Sequence, residues 1–154
     1  MITEDYVSLE VAKLLKEKGF DEGCFKYAIN DEIYNKGDYV ICSTEDVVVC
    51  IPTLQMAMKW LRNMGIVIEI ATRWPSNPDF CMIPYCFRIE DYRKERDLTR
   101  EHGKYYTGYC SNAGMDVFLK ENHLLFDELG FGEFPTYEIT VEAAIKYCLN
   151  YIIK

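Results

Sequence analysis

Apolar positions recur at helical spacing in two stretches that stop in the same way. Ser8 precedes Leu9–Lys18, where Val11, Leu14, Leu15 and the stem of Lys18 form one stripe. Ser8 is a favourable N-cap; Glu10 lies in the positive first turn, and Lys16 and Lys18 in the negative last turn. Gly19 and Phe20 then fit a Schellman stop that sets Phe20 over Leu15. Thr53 opens the second stretch, with Pro52 in front of it. Leu54, Ala57, Met58, Leu61 and Met64 form its stripe, and Gly65-Ile66 end it.

Each helix is followed through Gly and an apolar residue by a β pattern. The first leads into Phe25–Ile29. The second leads into Ile66–Trp74, where Ile66, Ile68, Ile70, Thr72 and Trp74 alternate with Val67, Glu69, Ala71 and Arg73. One apolar and one polar face is the pattern of an antiparallel sheet covered on one side. Pro75–Asp79 is turn chemistry; beyond it Tyr85, Phe87 and Ile89 share a face, with Cys86, Arg88 and Glu90 on the other. Tyr39–Ser43 and Val47–Ile51 bracket Thr44-Glu45-Asp46 and read as further strands. Lys104–Cys110 reads as a short Tyr-rich strand and Met115–Leu129 as a helix. From Thr136, the positions Tyr137, Val141, Ala144, Ile145, Cys148, Leu149 and Ile152 predict a C-terminal helix to about Ile153.

The expected class is α+β: antiparallel hairpins packed against three to four amphipathic helices, arranged as two helix–hairpin modules. A single domain over 1–154 divides into a first helix with strands (1–51), a helix with a hairpin (52–90), an insertion (91–135) and the C-terminal helix (136–154).

Charge and cysteine content narrow the function classes. Seventeen Lys and Arg against 25 Asp and Glu give −8. An acidic balance opposes unaided binding to a phosphate backbone, so a nucleic-acid partner is unlikely. Arg88–Lys104 holds six cations and five anions, the mixed signs of a solvated face. The longest apolar run, Val47–Ile51, is far short of a membrane span. Met1–Asp5 lacks the cationic and apolar regions of a secretory signal, so a cytoplasmic location is expected. There the seven cysteines, Cys24, Cys42, Cys50, Cys81, Cys86, Cys110 and Cys148, are expected as reduced core residues. None is spaced C-x-x-C. A zinc set of Cys81, Cys86, His102 and Cys110 can be drawn, but buried structural thiols are the stronger reading.

Three segments carry a resemblance: Tyr6–Glu22, the run Pro52-Thr53-Leu54-Gln55-Met56-Ala57-Met58-Lys59-Trp60-Leu61-Arg62, and Glu142–Leu149. Together, over about a third of the chain, they resemble small proteins of phage and mobile-element regions of anaerobic gut bacteria. No activity is assigned to that family, so the resemblance implies only context: an accessory protein of a phage or prophage in the bacterial cytoplasm. Asp91–Pro135 looks like an insertion relative to shorter members. Ser8–Leu15 also resembles the first helix of excisionase-like helix-turn-helix domains. The basic recognition helix that motif requires is missing, because the chain continues into Asp21-Glu22-Gly23-Cys24.

No catalytic, cofactor-binding or metal-binding set emerges. Nucleophilic catalysis would place Cys or Ser beside a His, and only His102 and His123 exist; His123 and Asp127 share a helix face as a surface pair does. Nucleophile-elbow, phosphate-loop, dinucleotide and zinc-protease motifs are all lacking. The excess lies in aromatics: 12 Tyr, 8 Phe and 2 Trp. Tyr105, Tyr106, Tyr109, Phe131 and Phe134 stand in Gly-rich, turn-like surroundings. Two readings compete there: an interaction surface, which favours Tyr, and lids folded onto the body. The leading expectation is a non-enzymatic interaction module that binds a protein partner or itself. The alternatives are an enzyme with a Cys or carboxylate site and a nucleic-acid module, the latter disfavoured by charge.

Overall fold

The computed structural model describes residues 4–35, 37–42, 47–72, 85–94, 106–107, 134 and 136–154. In chain order the elements are α1 (Leu9–Glu17), β1 (Tyr27–Ile29), β2 (Glu32–Tyr34), β3 (Val48–Cys50), α2 (Leu54–Asn63), β4 (Ile66–Thr72), β5 (Tyr85–Asp91), β6 (Tyr106–Thr107) and α3 (Tyr137–Tyr147). The α+β class is therefore as expected. The strands form two antiparallel three-stranded sheets, ordered β2-β1-β3 and β4-β5-β6. The predicted helix at Met115–Leu129 lies outside the described residues, as does most of the predicted insertion.

The helix ends follow from side-chain chemistry. Ser8 Oγ accepts from the Val11 amide at 3.3 Å and Thr53 Oγ1 from the Met56 amide at 3.2 Å, each satisfying one orphan donor of the first turn. At the other end of α1, Gly19 takes φ +88°. Its amide donates to the Lys16 carbonyl at 3.0 Å, and the Phe20 amide to the Leu15 carbonyl at 2.9 Å. These are the two bonds of a Schellman motif, and they need a residue without Cβ penalty at the left-handed position. Gly65, at φ +87°, repeats the turn by donating to the Arg62 carbonyl at 2.9 Å. Both turns deliver an apolar residue to the core: Phe20 meets Trp60 edge-on at 5.6 Å, and Ile66 is fully buried.

The first sheet differs from the sequence expectation in two ways. β2 was not expected. It forms because Asn30 (φ +50°) and Asp31 (φ +68°) close a two-residue hairpin of the primed type, in which both central residues are left-handed. Tyr39–Ser43 does not form a strand over its described residues, contributing only a single bridge between Val40 and Cys24. β3 pairs with β1, not with this segment. α1 covers β3, and Lys16 Nζ reaches the Val48 carbonyl at 2.9 Å.

The second sheet follows the alternation closely. Ile68 lies opposite Ile89 and Ile70 opposite Phe87; Ile66, Phe87 and Ile89 are buried while Glu69 and Ala71 are exposed. α2 packs on β4, and α3 on both β4 and β5.

α3 ties the molecule together. Thr136 caps it by accepting from the Ile139 amide at 3.2 Å. Its Glu142 then accepts from the Ser8 amide at 3.1 Å, while Lys146 pairs with Glu10 at 2.8 Å. In a capping box a Glu three residues past the cap would serve the cap's own amide; that position in α1 is Val11, and Glu142 supplies the carboxylate from another helix. The C-terminal helix was expected to run α-helical to Ile153, but Cys148–Ile152 is a π turn. Arg93 holds Asp91 through two bonds of 2.8 and 2.7 Å and also donates to the Ile152 carbonyl at 2.9 Å, clasping the chain end to β5.

The expectation of free thiols throughout needs correction. Cys42 and Cys50 form a disulfide, with Cα atoms 6.0 Å apart. Spacing in sequence could not reveal it, because the pairing requires β3 to be brought back against the segment after Val40. Cys24 and Cys148 are free and buried.

Candidate interaction face

Among the described residues, most large apolar side chains that the fold leaves in solvent belong to or flank the first sheet. Phe25, Ile33, Tyr39, Ile41 and Val47 are all more than half exposed, Ile41 and Val47 reaching 69% and 74%. Single exposed apolar residues are ordinary, whereas a joined set calls for a physical account.

Three of these are joined by the chain's local geometry. The Cys24–Val40 bridge, with amide–carbonyl bonds of 2.8 and 2.9 Å in both directions, sets Phe25 opposite Tyr39 and Gly23 opposite Ile41. Cys24 is buried and Val40 half-buried, so the flanking positions turn outward by strand alternation. The rings of Phe25 and Tyr39 meet edge-to-face at 5.1 Å. Tyr39 lies over Gly23, its ring filling the space where a Cβ would stand. Glycine here serves close approach rather than a left-handed turn. The result is an aromatic pair with a fixed mutual geometry, flanked by Ile41 and open to solvent.

A second aromatic pair lies further along the same sheet. Tyr27 and Tyr34 stack at 5.6 Å on directly paired positions, and Tyr34 donates to Glu32 at 2.9 Å. Glu32 accepts that bond and adds negative charge nearby, both of which push the Tyr34 phenol above its ordinary range.

The sequence-predicted surface residues fall elsewhere. Phe134 is in the core at 1% exposure, stacked on Phe87 at 5.6 Å. Its amide and carbonyl both pair with Tyr85 at 2.8 Å, so an apparent loop aromatic is held as an extra rung beside β5. The backbone of Tyr106 pairs with Ile89. Tyr105, Tyr109 and Phe131 lie outside the described residues, as do His102, His123, Cys81 and Cys110.

Chemistry is sparse in what is described. No group of three or more His, Cys, Asp or Glu among the described residues could hold a metal ion. Burial, reinforced by Glu22, pushes the Cys24 thiol up to about 11; burial pushes Cys148 higher still, with Asp91 adding to the effect. A thiol nucleophile needs the opposite shift. Both groups are core residues, inert at neutral pH.

Comparison with protein-family models, curated proteins and solved structures gives no match for this chain. No helix in the described residues is long and apolar enough to cross a membrane.

Proposed function

We propose that this chain is a non-enzymatic protein-interaction module, acting as an accessory protein of a phage or prophage. The observation that carries the interaction reading is the solvent-exposed Phe25–Tyr39 pair with Ile41 beside it. Rigid aromatic area with few rotors to freeze is what protein interfaces enrich, and the support of Tyr39 by Gly23 lowers the ordering cost of binding. The phage context rests on the resemblance of the Pro52–Arg62 run and its two companion segments.

Peptide display against the immobilised protein tests the reading. The expected result is an enriched peptide family that the Phe25→Ser/Tyr39→Ser double variant fails to select while keeping wild-type unfolding behaviour. Enrichment that survives the double variant, or none at all, refutes it.

A cytoplasmic site of action follows from the same resemblance. The Cys42–Cys50 disulfide weighs against it, since such bonds persist in oxidising compartments. Alkylation of the protein in intact producing cells, read by mass, decides: a dithiol supports the cytoplasm and a disulfide refutes it.

A further inference from the structure

We propose that the Phe25–Tyr39–Ile41 face is the docking site for a basic protein segment, one that presents an apolar anchor between Arg or Lys residues. This rests on the interaction reading above and narrows it to a partner class. The argument is charge complementarity around a preformed aromatic pair.

Residues 21–50 contain seven carboxylates and two lysines, a net of −5 within a chain whose total is −8. The acidic excess is thus concentrated in the segment that builds this face. Asp21 and Glu22 lead directly into Gly23, and Asp38 directly precedes Tyr39; all three are exposed. Both bridged segments of the face therefore carry negative charge at its border. Lys26, the nearest described cation in sequence, is turned to another task, its ammonium lying 4.5 Å from the Tyr6 ring centroid.

That distribution discriminates among occupants. A second copy would set the exposed Asp21, Glu22 and Asp38 of one face against the same three of the other, and like charges facing each other across an interface oppose association; Asp31, paired with Lys13 at 2.6 Å, is not among them. The same border disfavours nucleic acid. An Arg-bearing segment satisfies both features at once: a guanidinium forks onto a carboxylate and stacks on an aromatic ring, while an apolar neighbour covers Phe25 and Ile41. Steering by the acidic border would also raise the association rate at low salt.

Fluorescence anisotropy with three synthetic peptides tests this. They share one Trp-Leu anchor and differ in being flanked by Arg, by Ser or by Glu. The Arg peptide should bind about tenfold tighter than the Ser peptide, the Glu peptide should not bind, and about 0.5 M NaCl should erase most of the gap. Asp21→Asn/Glu22→Gln/Asp38→Asn should cost the Arg peptide about tenfold. Gly23→Ala, which keeps every charge and displaces only the exposed Tyr39 ring, should weaken it as well.

Equal binding of the Arg and Ser peptides, both lost in Phe25→Ser/Tyr39→Ser, overturns the basic partner and leaves the interaction reading standing. Arg-peptide binding that survives that double variant overturns the face. A concentration-dependent dimer abolished by Tyr39→Ser overturns the proposal in favour of a second copy. Failure of all three peptides also overturns it, and the display selection then judges the interaction reading separately. Thermal unfolding of each variant accompanies every titration, so a loss from misfolding is recognised as such.

Discussion

Phe134→Ala separates a core aromatic from a surface one at a position where the sequence left an interaction surface and a lid folded onto the body as competing readings. The ring is 1% exposed and stacked on Phe87, itself 1% exposed, with centroids 5.6 Å apart. Truncation removes a whole phenyl group from a close-packed site and strips Phe87 of its partner. Buried Phe→Ala changes cost about 3–5 kcal/mol. For a chain of this size each kcal/mol lowers the midpoint by about 2–4 °C, so the melting temperature should fall by about 6–20 °C. The backbone bonds between residues 134 and 85 are kept, which confines the loss to packing. Two-state unfolding in urea, followed by far-UV circular dichroism, measures the free energy directly. Phe25→Ala, at 54% exposure, is the matched control and should cost less than about 1 kcal/mol. A Phe134→Ala loss below about 1 kcal/mol, equal to the control, would refute the core assignment and return Phe134 to the surface set.

Glu142→Ala should destabilise by about 1 kcal/mol, since it removes the carboxylate that accepts from the Ser8 amide and crosses from α3 to α1; Glu142→Gln should recover part of that in the same urea titration. Reducing the Cys42–Cys50 bridge, or replacing both residues by Ala, frees a loop closed over a sequence separation of 8 and should cost about 2.5 kcal/mol by chain entropy. An unchanged urea midpoint after reduction would count against the bond's holding the first sheet. Cys24, whose thiol is pushed up to about 11 from an ordinary 9.0, should alkylate more slowly in native than in unfolded protein at pH 8–9. Because the folded value is the higher one, its contribution to stability is fully present below pH 9 and is lost as pH climbs through about 11. Peptide mapping after timed iodoacetamide pulses reads the first effect, and equal native and unfolded rates would contradict it.

Local grammar made the helices and the second sheet legible. Capping residues, a glycine at the left-handed stop and the 3.6-residue stripe each act within a few residues of the chain, so Ser8, Gly19, Thr53 and Gly65 could be read before any tertiary contact was known. The β4–β5 register was equally readable because a period of two with one buried face allows no slip: shifting Ile68 from Ile89 would turn every isoleucine of β4 to solvent. The first sheet was not. Its hairpin is closed by Asn30-Asp31 rather than by a Gly-containing pair, and its strands are three residues long, too short for alternation to show. The disulfide escaped for the same reason: it depends on which segments β1 recruits, and that is a tertiary fact.

The candidate face was invisible for a more instructive cause. Aromatics in Gly-rich surroundings drew attention to 105–134, whereas Phe25 and Tyr39 sit in stretches patterned like buried strands. Composition ranks residues by their neighbours in sequence, but exposure follows from how far the core extends. α1 covers β3, and one buried core runs from α1 and the first sheet through α2 to α3 and the second sheet. In the segments that flank β1 and β2, Cys24 and Cys42 turn into the core while Phe25, Tyr39 and Ile41 stay more than half exposed. In such a place an apolar pair costs solubility and contributes little to folding, so its physical justification must come from what it touches. Under the docking proposal the acidic residues beside it would act twice, hydrating the bare face and opposing its pairing with itself. If the three-peptide titration bears the proposal out, three exposed carboxylates bordering two open rings are the arrangement that selects a partner of opposite charge over a second copy.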